Sequence, residues 1–146
     1  MVLVQKKNSR ESSFSLEIID SQLVKNSEWG VPDKGFDGNK RINCRKHRIV
    51  LDTLGLLMSV VVTEANVHYS VAAERVIKRM KGAFPRLKKI LGDGGYAGAR
   101  LVKLLQKHLK AEFEVVTRSD EAGFKVIHQR WIVERSIAWF SWFRRL

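Results

Sequence analysis

The sequence predicts an α/β fold in which a five-stranded mixed sheet carries helices on both faces. Its 146 residues suffice for one compact domain. Two β-rich runs separated by a short turn predict a hairpin in the first half. Strands and amphipathic helices then alternate, which predicts parallel strands joined by helical crossovers.

The first half of the chain contains three predicted strands. Residues 1–14 are polar and irregular, and we expect a linker or the remnant of an upstream segment. The apolar run 16–20 ends in an acid and predicts the first strand. Glycines and a proline predict a long loop over 25–46. The β-rich runs 47–53 and 57–63 predict a hairpin.

The second half alternates helix and strand. A helix is predicted from Ser70, a residue type that favours the N-cap, because apolar residues follow at helical spacing. The run 88–93 predicts a strand, 99–109 an amphipathic helix, 112–117 a strand and 130–146 a final helix. The resulting order β-β-β-α-β-α-β-α is that of the ribonuclease H-like fold.

The charge balance favours a polyanionic partner. There are 27 Lys and Arg against 15 Asp and Glu, a net charge of +12, which favours nucleic acid first and an anionic membrane surface second. Two stretches, 40–48 and 75–92, are rich in Lys and Arg, and neither contains Asp or Glu. Both are able to track a phosphate backbone, although such stretches are also common on solvated faces.

Cysteine content and hydropathy exclude several classes of protein. The single Cys44 excludes a disulfide framework and a Cys-rich zinc site. The most apolar stretch, 54–62, is too short to span a bilayer, and the N-terminus does not resemble a secretory signal. We therefore expect a cytoplasmic domain without a membrane partner.

Three acids stand out by position: Asp20 and Asp93 end predicted strands, and Glu134 lies inside the last helix. If the first and fourth strands are neighbours, Asp20 and Asp93 lie side by side, and paired carboxylates favour a bound cation such as Mg²⁺. The alternatives are turn caps for the two aspartates and, on a helix expected to be buried, a salt bridge from Glu134 to Arg130 or Arg135. Asp52 is interpreted as a hairpin-turn residue.

Four stretches together resemble the catalytic domain of DDE-type transposases of bacterial insertion sequences: IIDSQLVK (18–25), CRKHRIVLDTLGLL (44–57), LGDGGYAG (91–98) and RWIVERSIAWFSWFRRL (130–146). The resemblance implies that Asp20, Asp93 and Glu134 are catalytic and bind two Mg²⁺ ions, with Mn²⁺ as a substitute. It further implies metal-dependent phosphodiester hydrolysis and strand transfer at transposon ends. The implied partner is double-stranded DNA in the bacterial nucleoid.

The resemblance and the charge pattern together predict a set of DNA contacts: Lys40, Arg41, Arg45, Lys46, Arg48, Tyr96, Arg130 and Arg135. Three positions depart from the family pattern, since Cys44 replaces a glycine, Ile127 a tyrosine and Ser141 a lysine.

We interpret the chain as a fragment, with 15–146 as a ribonuclease H-like catalytic domain that lacks an upstream recognition domain and is truncated at its C-terminus. Four aromatic residues of the last helix, Trp139, Phe140, Trp142 and Phe143, are then expected to be exposed in part and to cause self-association. Two alternatives stay open: a DNA-binding remnant without activity, and another ribonuclease H-like nuclease that cuts Holliday junctions or RNA–DNA hybrids.

Overall fold

The computed structural model describes residues 15–25, 34–116 and 130–142. The elements in this part of the chain are β1 (Leu16–Lys25), β2 (Gly35–Asp37), β3 (Ile42–Asp52), β4 (Leu57–Glu64), α1 (Tyr69–Met80), β5 (Lys89–Gly92), a 3₁₀ turn (Gly94–Tyr96), α2 (Ala99–Leu109), β6 (Glu112–Val115) and α3 (Arg130–Ser141). The predicted α/β class is confirmed. Within these ranges no helix is long and apolar enough to cross a bilayer.

One mixed sheet contains all six strands. Its order is β2-β3-β1-β5-β6, and β4 pairs with β3. β3 runs antiparallel to β1, β2 and β4, whereas β5 runs parallel to β1 and β6. The hairpin and the two helical crossovers predicted from the sequence produce this arrangement. β1 is therefore the strand at which the antiparallel and parallel halves of the sheet meet.

The antiparallel half is longer than predicted. β1 continues five residues past Asp20, and β3 begins at Ile42 within the predicted loop. The extension forms because the polar and basic residues of early β3 pair with the end of β1, with Lys25 opposite Cys44. The three-residue β2, opposite the same part of β3, adds a sixth strand. Backbone pairing has overridden a local composition that is typical of loops.

Two apolar clusters cover the two faces of the sheet. On one face, Ile19, Val50 and Ile90 pack with Val76 of α1 and Leu105 of α2.

On the other face, Ile18, Leu51 and Leu91 pack with Ile132 and Val133 of α3. Because successive side chains of a strand point to opposite faces, the sheet separates α1 and α2 from α3. The prediction of helices on both faces is confirmed.

Candidate active site

Asp20 and Asp93 lie where β1 and β5 part. The parallel pairing of these strands ends with Ile19 opposite Gly92, so the two aspartates are the next residue on each strand. Neighbouring strands lie about 4.8 Å apart. The prediction that the two acids lie on adjacent strands is therefore confirmed. Ile18, two residues before Asp20, packs in the α3 layer, so strand alternation directs the Asp20 side chain to that face.

Asp93 also caps the turn that follows it. It is exposed, its Oδ1 accepts a hydrogen bond from the Gly95 amide at 3.0 Å, and its carbonyl accepts from the Tyr96 amide at 3.0 Å. One carboxylate oxygen thus stabilises the turn, as the turn-cap alternative predicts, while Oδ2 remains outside that hydrogen bond. Capping and ligand binding are compatible in this geometry.

Asp20 has a different local environment. It is half-buried inside β1, and its Oδ1 accepts a hydrogen bond from the Ser21 amide at 2.6 Å. The sequence predicts that Asp20 ends the first strand, and this prediction is wrong because β1 continues to Lys25. Asp20 lies instead at the position where β1 loses its parallel neighbour and remains paired with β3 alone.

Glu134 lies on α3, in the layer that covers the face toward which Asp20 points. It is exposed, which corrects the expectation of a buried carboxylate, because α3 buries only one side of its circumference. Within residues 15–25, 34–116 and 130–142, no three His, Cys, Asp or Glu side chains are close enough together to hold a metal ion. The pairing of β1 with β5 thus makes Asp20 and Asp93 neighbours at the sheet edge, and Glu134 lies on the helix that packs over this face.

The two residues after Glu134 fasten α3 to the β3–β4 turn. The Arg135 Nη2 donates to the Leu54 carbonyl at 2.7 Å, and the Ser136 Oγ donates to the Gly55 carbonyl at 3.0 Å. Asp52 shapes this turn, since its Oδ1 accepts from the amides of Leu54 at 2.9 Å and Leu56 at 2.7 Å. The interpretation of Asp52 as a turn residue is confirmed, and we call these contacts the α3 anchor.

Gly55 allows the close approach in the α3 anchor. Its φ is +83°, and a Cβ atom at this position would lie 2.6 Å from the Ser136 Oγ. Both the backbone conformation and the contact therefore require glycine. The sequence had not indicated this role for D-T-L-G, because residue spacing does not show which turn meets the last helix.

Arg135 is also held between two aromatic rings. Its guanidinium carbon lies 4.6 Å from the Trp131 ring centroid and 4.9 Å from that of Trp139, and its Nε is buried without a hydrogen-bond partner. The structure gives the Arg135 guanidinium a role in fastening α3, and a phosphate contact from this half-buried side chain stays a prediction.

The predicted aromatic surface on α3 is exposed in part. Trp139 is 52% exposed and Trp142 is 85% exposed, as predicted, whereas Phe140 packs partly against the sheet. Phe143 and Ile127 lie outside the described residues. Self-association through this surface stays a prediction.

Two basic residues of β3 that were predicted to contact DNA, Lys46 and Arg48, are buried. Lys46 pairs with Asp37 at 2.5 Å, and this hydrogen bond holds the pKa of Asp37 below its usual range. Arg48 is fully buried; its Nη2 donates to the Val67 carbonyl at 3.0 Å, and its guanidinium lies 4.5 Å from the centroid of Tyr69. Both predictions are corrected, because these β3 side chains point inward under α1.

Tyr96 is likewise buried, at 2% exposure. Its ring stands edge-to-face on Tyr69 at 4.9 Å, its hydroxyl has no hydrogen-bond partner, and burial raises the pKa of Tyr96 to about 12. The prediction that Tyr96 contacts phosphate is therefore wrong, and its side chain instead packs in the core behind Asp93.

The remaining predicted contacts are on the surface or outside the described side chains. Lys40 and Arg41 are exposed in the turn between β2 and β3, and Arg45 is half-buried on β3. The Arg130 and Ser141 side chains lie outside the described part of the chain. Lys40, Arg41 and Arg45 are thus the predicted contacts that the structure leaves accessible.

The sheet, with its two acids at the junction of the parallel and antiparallel halves, defines the ribonuclease H-like class of folds. A solved transposase structure shares this fold. A piggyBac transposase synaptic complex with hairpin DNA superposes with a TM-score of 0.51 at 17% identity, over 77% of this chain and 25% of that chain. A Mos1 transposase paired-end complex superposes with a TM-score of 0.42 at 13% identity, over 76% of this chain and 38% of that chain.

Sequence comparison is more specific. The Transposase DDE domain family matches residues 12–146. A Burkholderia cepacia protein assigned as a transposase for insertion sequence element IS402 is 30% identical over 132 residues, which are 85% of this chain and 62% of that relative. The chain belongs to the Transposase DDE domain family.

Proposed function

We propose that this chain is the catalytic domain of a DNA transposase that hydrolyses phosphodiester bonds at transposon ends and transfers the resulting strand to target DNA. The observation that carries the proposal is the β1–β5 register, in which Ile19 opposite Gly92 makes Asp20 and Asp93 neighbours. Family membership supplies the reaction class. We place the reaction on double-stranded DNA of the bacterial nucleoid, in the cytoplasm.

The donor set fits a hard divalent cation. Asp20 and Asp93 present carboxylate oxygens on adjacent strands, and oxygen ligands of this type suit Mg²⁺, with Mn²⁺ as a substitute. Bound ions of this kind activate the attacking hydroxyl or water and neutralise charge on the leaving oxygen. Glu134, on the layer facing these strands, is the proposed third ligand.

The chain's own residues determine how the ligands are presented. The hydrogen bond to Gly95 fixes the orientation of the Asp93 carboxylate, and the one to Ser21 fixes that of Asp20. The α3 anchor sets the position of Glu134, because Arg135 and Ser136 follow it directly. Movement of α3 relative to the turn would therefore change the distance between Glu134 and the two aspartates.

A divalent-ion experiment tests the proposal. Asp93→Asn is expected to reduce Mn²⁺ binding and to lower cleavage of transposon-end duplex by about 100-fold or more, with unchanged thermal stability. Glu112→Gln, which removes an exposed carboxylate from β6, is the matched control. Cleavage by the Asp93→Asn variant at the wild-type rate would contradict the proposal.

A second candidate is duplex binding without cleavage. It is favoured because Glu134 is not grouped with Asp20 and Asp93 in the described part of the chain. Wild-type protein that binds duplex and Mn²⁺ but leaves transposon ends uncut would support this candidate. Membership of the transposase family argues against the nuclease that cuts junctions or hybrids.

A further inference from the structure

We propose that the outer surfaces of α1 and α2 form a second DNA-binding surface, which holds duplex by its phosphates on the side of the sheet opposite α3. We call it the cationic face, and its members are Arg75, Lys78, Arg79, Lys81, Arg100, Lys103, Lys107 and Lys110. The inference goes beyond the proposed function, because it requires no catalysis.

The cationic face holds more than half of the chain's net charge. Residues 69–81 and 99–110 contain eight Lys and Arg and one acid, Glu74, a net +7 out of +12 for the whole chain. A helix face that is merely solvated usually mixes both signs. The single acid is itself neutralised, since it pairs with Lys78 at 2.9 Å and with Arg100 at 2.7 Å.

These basic side chains point away from the sheet. Val76 and Ile77 of α1 and Leu101 and Leu105 of α2 are buried in the core, and all eight members of the cationic face are exposed. The Arg100–Glu74 ion pair joins the two helices directly. The cationic face is therefore one continuous surface rather than two separate stripes.

The spacing along α2 suits a polyanion. Residues 100, 103 and 107 recur every three or four positions and so lie on one side of the helix, and Lys110 follows as the C-cap residue. At about 1.5 Å per residue the helical row is about 10 Å long, and duplex DNA carries about one phosphate charge per 1.7 Å. Several phosphates therefore lie within reach of this row. Long, flexible side chains that contact phosphates do not read base sequence.

The position of the cationic face leaves the acids accessible. α1 and α2 cover the face of Ile19 and Ile90, whereas α3 covers that of Ile18 and Leu91. A duplex bound to α1 and α2 is thus on the other side of the sheet from Glu134. The domain is able to hold one duplex segment while a second lies at Asp20 and Asp93.

Two charge-matched triple variants test this inference by fluorescence anisotropy with a random duplex of about 30 base pairs at 50–200 mM NaCl. Lys103→Gln, Lys107→Gln and Lys110→Gln remove three charges from the cationic face. The control variant removes three exposed charges elsewhere through Lys25→Gln, Lys34→Gln and Lys88→Gln. The first variant is expected to reduce the slope of log K against log salt by about 2 to 3 and the control by less than about 1.

Equal effects of the two triple variants would overturn the inference, since net charge rather than position would then set affinity. The inference would also be overturned if the Lys103, Lys107 and Lys110 variant kept the wild-type affinity for duplex but lost binding to phosphatidylserine vesicles. That result would favour a membrane surface as the partner. Absence of cleavage by the wild-type protein would contradict the proposed function alone and would leave the salt-slope comparison decisive.

Discussion

Glu17 is a buried carboxyl group whose ionisation opposes folding. It is 0% exposed, neither carboxylate oxygen has a hydrogen-bond partner, and it lies opposite the buried Asp52 in the β1–β3 ladder. Burial, and then the Asp52 charge, raise the pKa of Glu17 from 4.5 to about 8. The folded protein therefore binds this proton more tightly than the unfolded chain does.

The sign and size of the effect follow from linkage between protonation and folding. The free energy of unfolding is highest below the unfolded pKa and falls as the pH rises from about 4.5 through about 8. At about 1.36 kcal/mol per pH unit, the full penalty is about 5 kcal/mol above pH 8. Between pH 5 and pH 8 the wild-type protein should lose about 3 kcal/mol from this group alone.

Glu17→Gln tests this reasoning because it removes the titration and keeps the side-chain volume. Urea unfolding at pH 5 and pH 8 should show about 3 kcal/mol less pH dependence in the variant than in the wild-type protein. Glu112→Gln, which changes an exposed glutamate, should match the wild type at both pH values. Equal pH dependence of Glu17→Gln and wild type would refute the reasoning.

Three further outcomes are expected. Gly55→Ala should lower the free energy of unfolding by about 1–3 kcal/mol and increase amide hydrogen exchange in α3, because its Cβ would meet the Ser136 Oγ at 2.6 Å; unchanged exchange would contradict the α3 anchor. Tyr96→Phe should leave stability within about 1 kcal/mol of wild type in thermal melts, since its buried hydroxyl lies near Arg48 and Ser21 but has no well-aligned hydrogen-bond partner, and a larger loss would contradict this expectation. Cys44, which is buried and whose thiol pKa is raised by burial, should resist thiol reagents at neutral pH until the protein unfolds, and rapid labelling of folded protein would refute this burial.

Hydrophobic periodicity was sufficient to predict the parallel half of the sheet and its crossover helices. Leu101 and Leu105 recur at helical spacing, and both are buried in the core. The antiparallel half was less accessible to sequence reasoning, because β2 and the start of β3 are polar and form through pairing with β1. Their partners lie far away in the sequence and have no local signature.

The basic residues of β3 show a second limit of prediction from sequence. Lys46 and Arg48 stand in a run of basic residues, which indicates a surface, yet both are buried. The available signal was strand alternation, since both lie an even number of residues before the buried Val50. For the acids, the ends of apolar runs were sufficient to predict Asp20 and Asp93 as neighbours. The placement of Glu134 depends on the anchoring of α3, which the sequence does not encode locally.

The contact between Gly55 and Ser136 also constrains how this chain is able to evolve. The two residues are 81 positions apart in the sequence, and the room for one is set by the size of the other. A side chain larger than serine at position 136, or any Cβ at position 55, requires the helix to move away from the turn, and Glu134 would move with it. Substitutions at these two positions should therefore covary among relatives, and a chain that changes only one of them should lose the placement of its third acid before it loses its fold.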